Sequence, residues 1–394
     1  MVRRSFSSRV PADLGVNRLA RALQEARAKG RPLIDLTLSN PTRAGFVYPP
    51  DLLVPLSHPR GLTYEPQPFG LPQARRAVSA DYARRGVSVA AERIVLTSST
   101  SEAYSLLFKL LTDTGDEVLV PRPSYPLFDH LTQLDAVTAR PYDLEYHDGW
   151  TLDLAGVEQA LSERTRAVLL VSPNNPTGSF VSRHELKRLS AMCAERGVAI
   201  IADEVFADYQ IRPGACVDAG RTTDVGEGLV FSLGGLSKSA GLPQVKLGWI
   251  ALAGAEALIG GALERLELIC DTYLSVSTPV QAAAAELIAC GAVIRKQIQA
   301  RVASNYRALN EHVEAVPACT VLVADGGWYA VVQVPSIGSE EDLVVSLVDD
   351  GVVVHPGYFF DFPRESYVVV SLLPAEQDFG AGVTTVLRHI ERSL

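Results

Sequence analysis

The feature that most constrains this chain is a repeated alternation of short apolar runs with longer amphipathic segments. RIVLT (93–97) precedes SEAYSLLFKLL (101–111), and EVLV (117–120) precedes a helical segment at 125–134. AVLLVS (167–172) precedes HELKRLSAMCAERG (184–197), which Gly197 ends. VAIIAD (198–203), LVFSL (229–233) and LGWIAL (247–252) complete the set. Strands so continuously apolar are buried on both faces, and strand–helix alternation makes the sheet mostly parallel, with helices packed against it. The fold class expected is therefore α/β.

The flanks read differently. Residues 14–29 carry apolar positions at helical spacing and stop at Gly30, 32–42 reads as extended, and the Pro- and Gly-rich 41–72 as mostly loop. A long helical stretch from about Pro279 to about Val313 follows the alternation. Beyond it TVLVA, GWYAVVQV, GVVVH and YVVVSLL read as short strands of a second, smaller α+β domain. A chain of 394 residues, 47% hydrophobic, can bury a core of that size.

Composition removes several classes of function. A net charge of −9 argues against nucleic acid as a partner. Cys193, Cys216, Cys270, Cys290 and Cys319 are dispersed without CxxC spacing, which suits free thiols in a reducing cytoplasm. The basic start lacks the apolar stretch of a secretory signal, and no run of about 18 apolar residues occurs, so no membrane span is expected. The histidines show no HExxH spacing, so no metal is expected, and no GxSxG elbow marks a serine hydrolase.

In open α/β sheets, ligands bind beyond the carboxyl ends of the strands. After RIVLT come Ser98, Ser99, Thr100 and Ser101, hydroxyls and free N–H groups at a helix start that can hold an anion. After AVLLVS comes the turn PNNPTG (173–178), and after VAIIA come Asp203 and Glu204. After LVFSL comes GLSKSAGLPQVKLGW (235–249), with Lys238 and Lys246 and no acid between them. Gly241 and Pro243 interrupt it, so it reads as a loop entering the next strand. Singly, these are an N-cap, a turn, a paired acid and surface lysines. Together they place an anion cradle, an amide, an acid and a lysine on one sheet edge, the groups that pyridoxal phosphate (PLP) requires.

In their order, these motifs resemble the class I/II aminotransferases of PLP fold type I, over nearly the whole chain. The PNNPTG turn, DEVF (203–206), and SK followed eight residues later by K-x-G carry the resemblance. It implies an N-terminal arm and helix at 1–30, a large PLP-binding domain at 51–285, and a small domain from 31–50 with 286–394. It also implies a homodimer with active sites at the interface. Lys238 resembles the Schiff-base lysine, and Asp203 the acid that keeps the pyridine nitrogen protonated. Asn175 resembles the amide at the cofactor's phenolic oxygen, and Tyr125 the aromatic residue stacked on the ring. Ser99, Thr100 and Ser101 match the phosphate loop, Lys246 the basic residue on the phosphate, and Tyr64 the tyrosine that reaches the neighbouring subunit's phosphate. Ser39 and Trp328 are implied in substrate binding. The function implied is amino-group transfer from an amino acid or amine to a 2-oxo acid or other carbonyl acceptor. A C–S or other β-lyase and a non-catalytic PLP-binding module are the alternatives.

The sequence departs from the family pattern in three places. Phe206 stands where a tyrosine would donate to the phenolic oxygen, which predicts a raised pKa for the cofactor–lysine linkage. Gly235 replaces a serine phosphate ligand. Val369, in YVVVSLL, falls where an arginine would clamp the substrate carboxylate, leaving Arg364 and Arg43 as candidates for a relocated charge. The aromatic segments HPGYFFDFP (355–363) and GGWYA (326–330) would suit an apolar substrate group.

Overall fold

Eight strands with almost no exposed residue at their centre organise the molecule. The computed structural model describes residues 6–212, 214, 219–364 and 366–394, so Cys216 lies outside the described residues. In chain order the strands are β1 (Ile34–Asp35), β2 (Ile94–Thr97), β3 (Glu117–Arg122), β4 (Thr138–Tyr146), β5 (Trp150–Leu152), β6 (Thr165–Val171) and β7 (Ala199–Asp203). They continue as β8 (Leu229–Gly235), β9 (Gly248–Gly254), β10 (Thr320–Val321), β11 (Tyr329–Gln333), β12 (Val352–Val353), β13 (His355–Pro356) and β14 (Tyr367–Ser371). The large sheet has the order β2-β9-β8-β7-β6-β3-β4-β5. From β8 to β4 the neighbours are parallel, while β9 runs antiparallel to β2 and β8, and β5 to β4. This is the mostly parallel α/β architecture expected.

The side-chain period of two explains why these strands read as unbroken apolar runs. Ala167, Leu169 and Val171 of β6 face a core shared with Tyr104 and Leu107 of helix Thr100–Leu111 and Leu266 of helix Glu256–Tyr273. Val168 and Leu170 face the opposite core, with Leu186 and Leu189 of helix Arg183–Glu195. Helices cover both faces, so each strand position needs an apolar residue. A fully buried Leu or Val contributes about 1.5–3 kcal/mol. Helix Arg183–Glu195 starts in a capping box made by Ser182 and Glu185, and Gly197 follows its end with φ of 65°.

The smaller sheet is antiparallel, with the order β10-β11-β14-β13. GVVVH, read as one strand, divides. Val352–Val353 pairs in parallel with β1, near the N-terminus, whereas His355–Pro356 pairs with β14. The stretch read as one long helix is two, Thr278–Ala282 and Ala284–Val313. The loop reading of 235–246 also changes, because Leu236–Ser239 forms one helical turn ended by Gly241 with φ of 64°. Among the described residues no helix is long and apolar enough to cross a membrane, and no His/Cys/Asp/Glu group could hold a metal ion.

Register positions the site. Asp203 lies opposite Val171 of β6 and Leu233 of β8, so PNNPTG, Asp203 and the turn carrying Lys238 leave the sheet at one edge. Thr97 pairs with Gly248, which brings Ser98 and Ser99 to the same edge.

Candidate active site

Lys238 sits half-buried on the single helical turn that follows β8. Its Nζ lies 4.9 Å from the ring centre of Trp328 and 5.5 Å from that of Phe206. The two rings pack edge-on at 5.3 Å, forming an apolar wall. Burial lowers the amine to about 8, and the Asp203 charge opposes that shift. At neutral pH most of the free amine is still charged, and a minority is neutral.

Asp203 ends β7 and is 8% exposed. Burial pushes its carboxyl up to about 6, against hydrogen bonds from the Val205 N–H (3.1 Å) and the Tyr104 hydroxyl (3.3 Å) and against the charge of Lys238. A buried acid without a full ion pair favours a cationic ligand. Tyr104 is a residue the sequence reading missed. Its signal was its place in SEAYSLLF, one turn into the helix on the face that packs on the sheet.

The two amides of PNNPTG divide the work. Asn174 is fully engaged: Nδ2 donates to the Pro123 carbonyl (3.1 Å) and to Thr177 Oγ1 (2.9 Å), and Oδ1 accepts from the Ser124 hydroxyl (3.0 Å). It ties the turn to the segment carrying Tyr125. Asn175 is 7% exposed, and its Oδ1 is buried with no hydrogen-bond partner. A buried amide oxygen left unpaired costs stability unless a ligand satisfies it. Tyr125 is half-buried, held edge-on by Phe128 at 6.0 Å, and burial pushes its phenol up to about 12, with Asp203 adding to the shift.

Ser99 N-caps helix Thr100–Leu111, its Oγ accepting from the Glu102 N–H at 3.1 Å. Glu102 turns back to accept from the Ser98 N–H (2.6 Å) and the Ser275 hydroxyl (2.8 Å). The N–H groups of Thr100 and Ser101 belong to the first turn, which offers no intrahelical acceptor. Gly248 packs against this loop: a Cβ there would lie 3.0 Å from the Ser99 carbonyl carbon. Only glycine permits that approach, two residues after Lys246. Lys246 is exposed and left-handed, with φ of 59° and ψ of 58°, a conformation that costs a non-glycine residue about 1 kcal/mol.

The remaining predicted residues lie at the margins. Trp328 is fully buried, so it backs Lys238 rather than opening onto solvent. Ser39 is half-buried beside Tyr329, whose phenol burial pushes up and Ser39 pulls down. Tyr64 is 73% exposed and lines an open cleft with Tyr273 and Ser275. Arg43 and Arg364 are both exposed. Val369 has no exposed surface and pairs with Val331 on one side and His355 on the other. The glycine at 235 has a packing reason: a Cβ would meet the Leu247 oxygen at 3.1 Å and the Gly248 Cα at 3.2 Å.

These groups fit pyridoxal phosphate. A half-buried lysine, a buried acid and an amide whose oxygen has no protein partner share the sheet edge from which helix Thr100–Leu111 also starts. Comparison with known proteins agrees. Residues 57–377 match the model of the family described as aminotransferase class I and II. An alanine aminotransferase of Mycobacterium tuberculosis is 26% identical over 378 residues, 90% of this chain and 85% of its own. A glutamate-pyruvate aminotransferase of Escherichia coli is 25% identical over 389 residues, 94% of this chain and 93% of its own. The solved alanine aminotransferase from Pyrococcus furiosus superposes with a TM-score of 0.88 at 21% identity, over 98% of this chain and 100% of that one, which is a likeness of fold.

Proposed function

The chain belongs to the class I and II aminotransferases and is a pyridoxal-phosphate-dependent transaminase acting on amino and keto acids, and on that premise we propose that Lys238 is the residue that carries and moves its protons. The observation that carries this is a half-buried lysine held against the rings of Trp328 and Phe206, on the same sheet edge as the buried Asp203 at the end of β7. When bound, the cofactor supplies the carbonyl that exchanges amino groups and the ring that takes up charge from the substrate carbon.

The chain's own residues do the rest. Lys238, as a neutral amine, takes the proton from the substrate carbon and returns one on the other side of the exchange. Asp203 holds the ring nitrogen in its protonated form, since that N–H⁺ is the cation its buried carboxylate lacks. Asn175 would donate from its amide Nδ2 to the ring's oxygen, and the Tyr125 ring would stack on the ring face. Ser99, Thr100, Ser101 and Lys246 hold the phosphate, with Lys246 as a point charge rather than a fork. The wall formed by Trp328 and Phe206 keeps water away from the amine.

Two finer readings belong to the same proposal. Tyr64, with Leu62 at 90% and Tyr273 at 54% exposure, forms an apolar surface that suits a homodimer, Tyr64 reaching the partner's phosphate. The pairing of Ile34–Asp35 with Val352–Val353 supports grouping 31–50 with 286–394 as a small domain beside 51–285. As for substrate, the relatives' names make L-alanine and L-glutamate the first donors to try. Because Val369 is enclosed in the small sheet, a substrate carboxylate is anchored elsewhere, or the donor is an amine.

The test is a panel of amino acids and amines mixed with the holoenzyme while its absorbance is followed. Conversion to the aminated cofactor, reversed by a 2-oxo acid, supports transamination at this site. Release of a keto acid with ammonia, without an acceptor, points instead to lyase chemistry.

A further inference from the structure

The turn that carries Lys238 does not support itself. Leu236–Ser239 is one helical turn, too short to be stable alone; the Gly241 N–H reaches the Lys238 carbonyl only at 3.2 Å, which leaves that oxygen room for a second donor. Three side chains from three separate parts of the chain supply donors. The Tyr209 hydroxyl donates to the Lys238 carbonyl at 2.5 Å. Arg295 Nη1, on helix Ala284–Val313, donates to the Ser239 carbonyl at 2.8 Å. The Tyr48 hydroxyl donates to the Gly241 carbonyl at 2.7 Å.

These donors are themselves fixed. Tyr209 has no exposed surface and packs edge-on against Trp328 at 5.2 Å, the same indole that backs the Lys238 amine. Arg295, 13% exposed in its side chain, lies 3.9 Å from Asp208, which Arg84 also grips at 2.8 Å, and Arg84 in turn bonds the buried Asp81. Asp208 and Tyr209 belong to the segment that begins at Asp203. One short piece of chain thus bears Asp203, the Tyr209 that holds the Lys238 carbonyl, and the Asp208 that faces Arg295. A cation at the end of a helical turn also meets the negative pole of its carbonyls.

We propose that Tyr209 and Arg295 are positioning residues that set where the Lys238 amine stands, by clamping the carbonyls of Lys238 and Ser239. This rests on the assignment of Lys238 above. The experiment measures how fast full-length apoenzyme captures pyridoxal phosphate covalently, by borohydride trapping at timed intervals and peptide mass mapping. In parallel, it measures the affinity for pyridoxine 5′-phosphate, which has no carbonyl and fills the pocket without bonding a lysine. Tyr209→Phe keeps the ring on Trp328 and removes only the hydroxyl, and Arg295→Gln removes the cation. Each should slow capture at Lys238 about tenfold, the loss of one well-placed hydrogen bond. Affinity for pyridoxine 5′-phosphate should stay within about twofold, and Arg295→Lys should restore most of the capture rate. Capture rates within twofold of the parent, or equal losses in capture and pyridoxine 5′-phosphate affinity, would overturn the proposal. Trapping of the parent enzyme at another lysine would instead overturn the assignment on which it rests.

Discussion

Asn174 and Asn175 are neighbours in sequence and opposite in environment: the first has hydrogen bonds to Pro123, Thr177 and Ser124, while the second buries an Oδ1 that has none. Asn174→Ala should therefore destabilise the apoenzyme, by about 2 kcal/mol, because it strands the groups it now satisfies. Asn175→Ala should leave the apoenzyme as stable as before or more so, yet weaken cofactor binding about tenfold. Chemical denaturation and cofactor titration of both variants read the two effects separately.

Asp203→Asn tests the acid through two pH dependences. Between pH 3.8 and about 6 the unfolded chain has lost the Asp203 proton while the folded chain keeps it, so apoenzyme stability should fall as pH rises through that window. The variant should lose that fall. It also removes the charge that supports the Lys238 ammonium, so the lysine's midpoint, measured by its rate of chemical modification, should move below about 8. Turnover should drop by roughly 10²–10³.

Phe206→Tyr restores a hydroxyl beside the lysine. The ring of Phe206 lies 5.5 Å from Lys238 Nζ and packs on Trp328, so the larger side chain keeps the same wall. A pH titration of the holoenzyme's visible absorbance should show a lower midpoint in the variant. An unchanged midpoint would mean that the added hydroxyl does not reach the cofactor.

Val369→Arg asks whether the small sheet can present a carboxylate clamp. Val369 has no exposed surface and is hydrogen-bonded between two strands. An unpaired guanidinium there should cost about 3–5 kcal/mol. Thermal melting should show a large loss of stability with no gain in turnover of 2-amino acids. A folded variant with improved turnover would show that the position faces the substrate after all.

Much of this was legible in the sequence because the central strands are buried on both faces. RIVLT, AVLLVS, VAIIAD and LVFSL have no polar alternation to obscure them, and once they lie parallel their ends must share an edge. Elements that obey weaker signals were harder to read. The β4–β5 hairpin contains TARPYDLEY, whose exposed and buried positions mix charges with apolar residues. Helices Pro72–Arg84 and Glu256–Tyr273 begin without a capping side chain, and the second contains Gly260 and Gly261. The support of the turn under Lys238 has no local signal, because the side chains that donate to it come from 29, 56 and 193 residues away. Nor could the sequence separate Asn174 from Asn175, since only the fold decides which amide meets protein and which is left for a ligand.

The most direct measurement is amino transfer by Lys238→Ala. Holoenzyme and variant, both loaded with pyridoxal phosphate, are assayed with the best donor from the amino acid and amine panel and a 2-oxo acid acceptor. The account predicts that the variant retains its fold and binds cofactor but has no detectable turnover. Turnover equal to the parent's would contradict it.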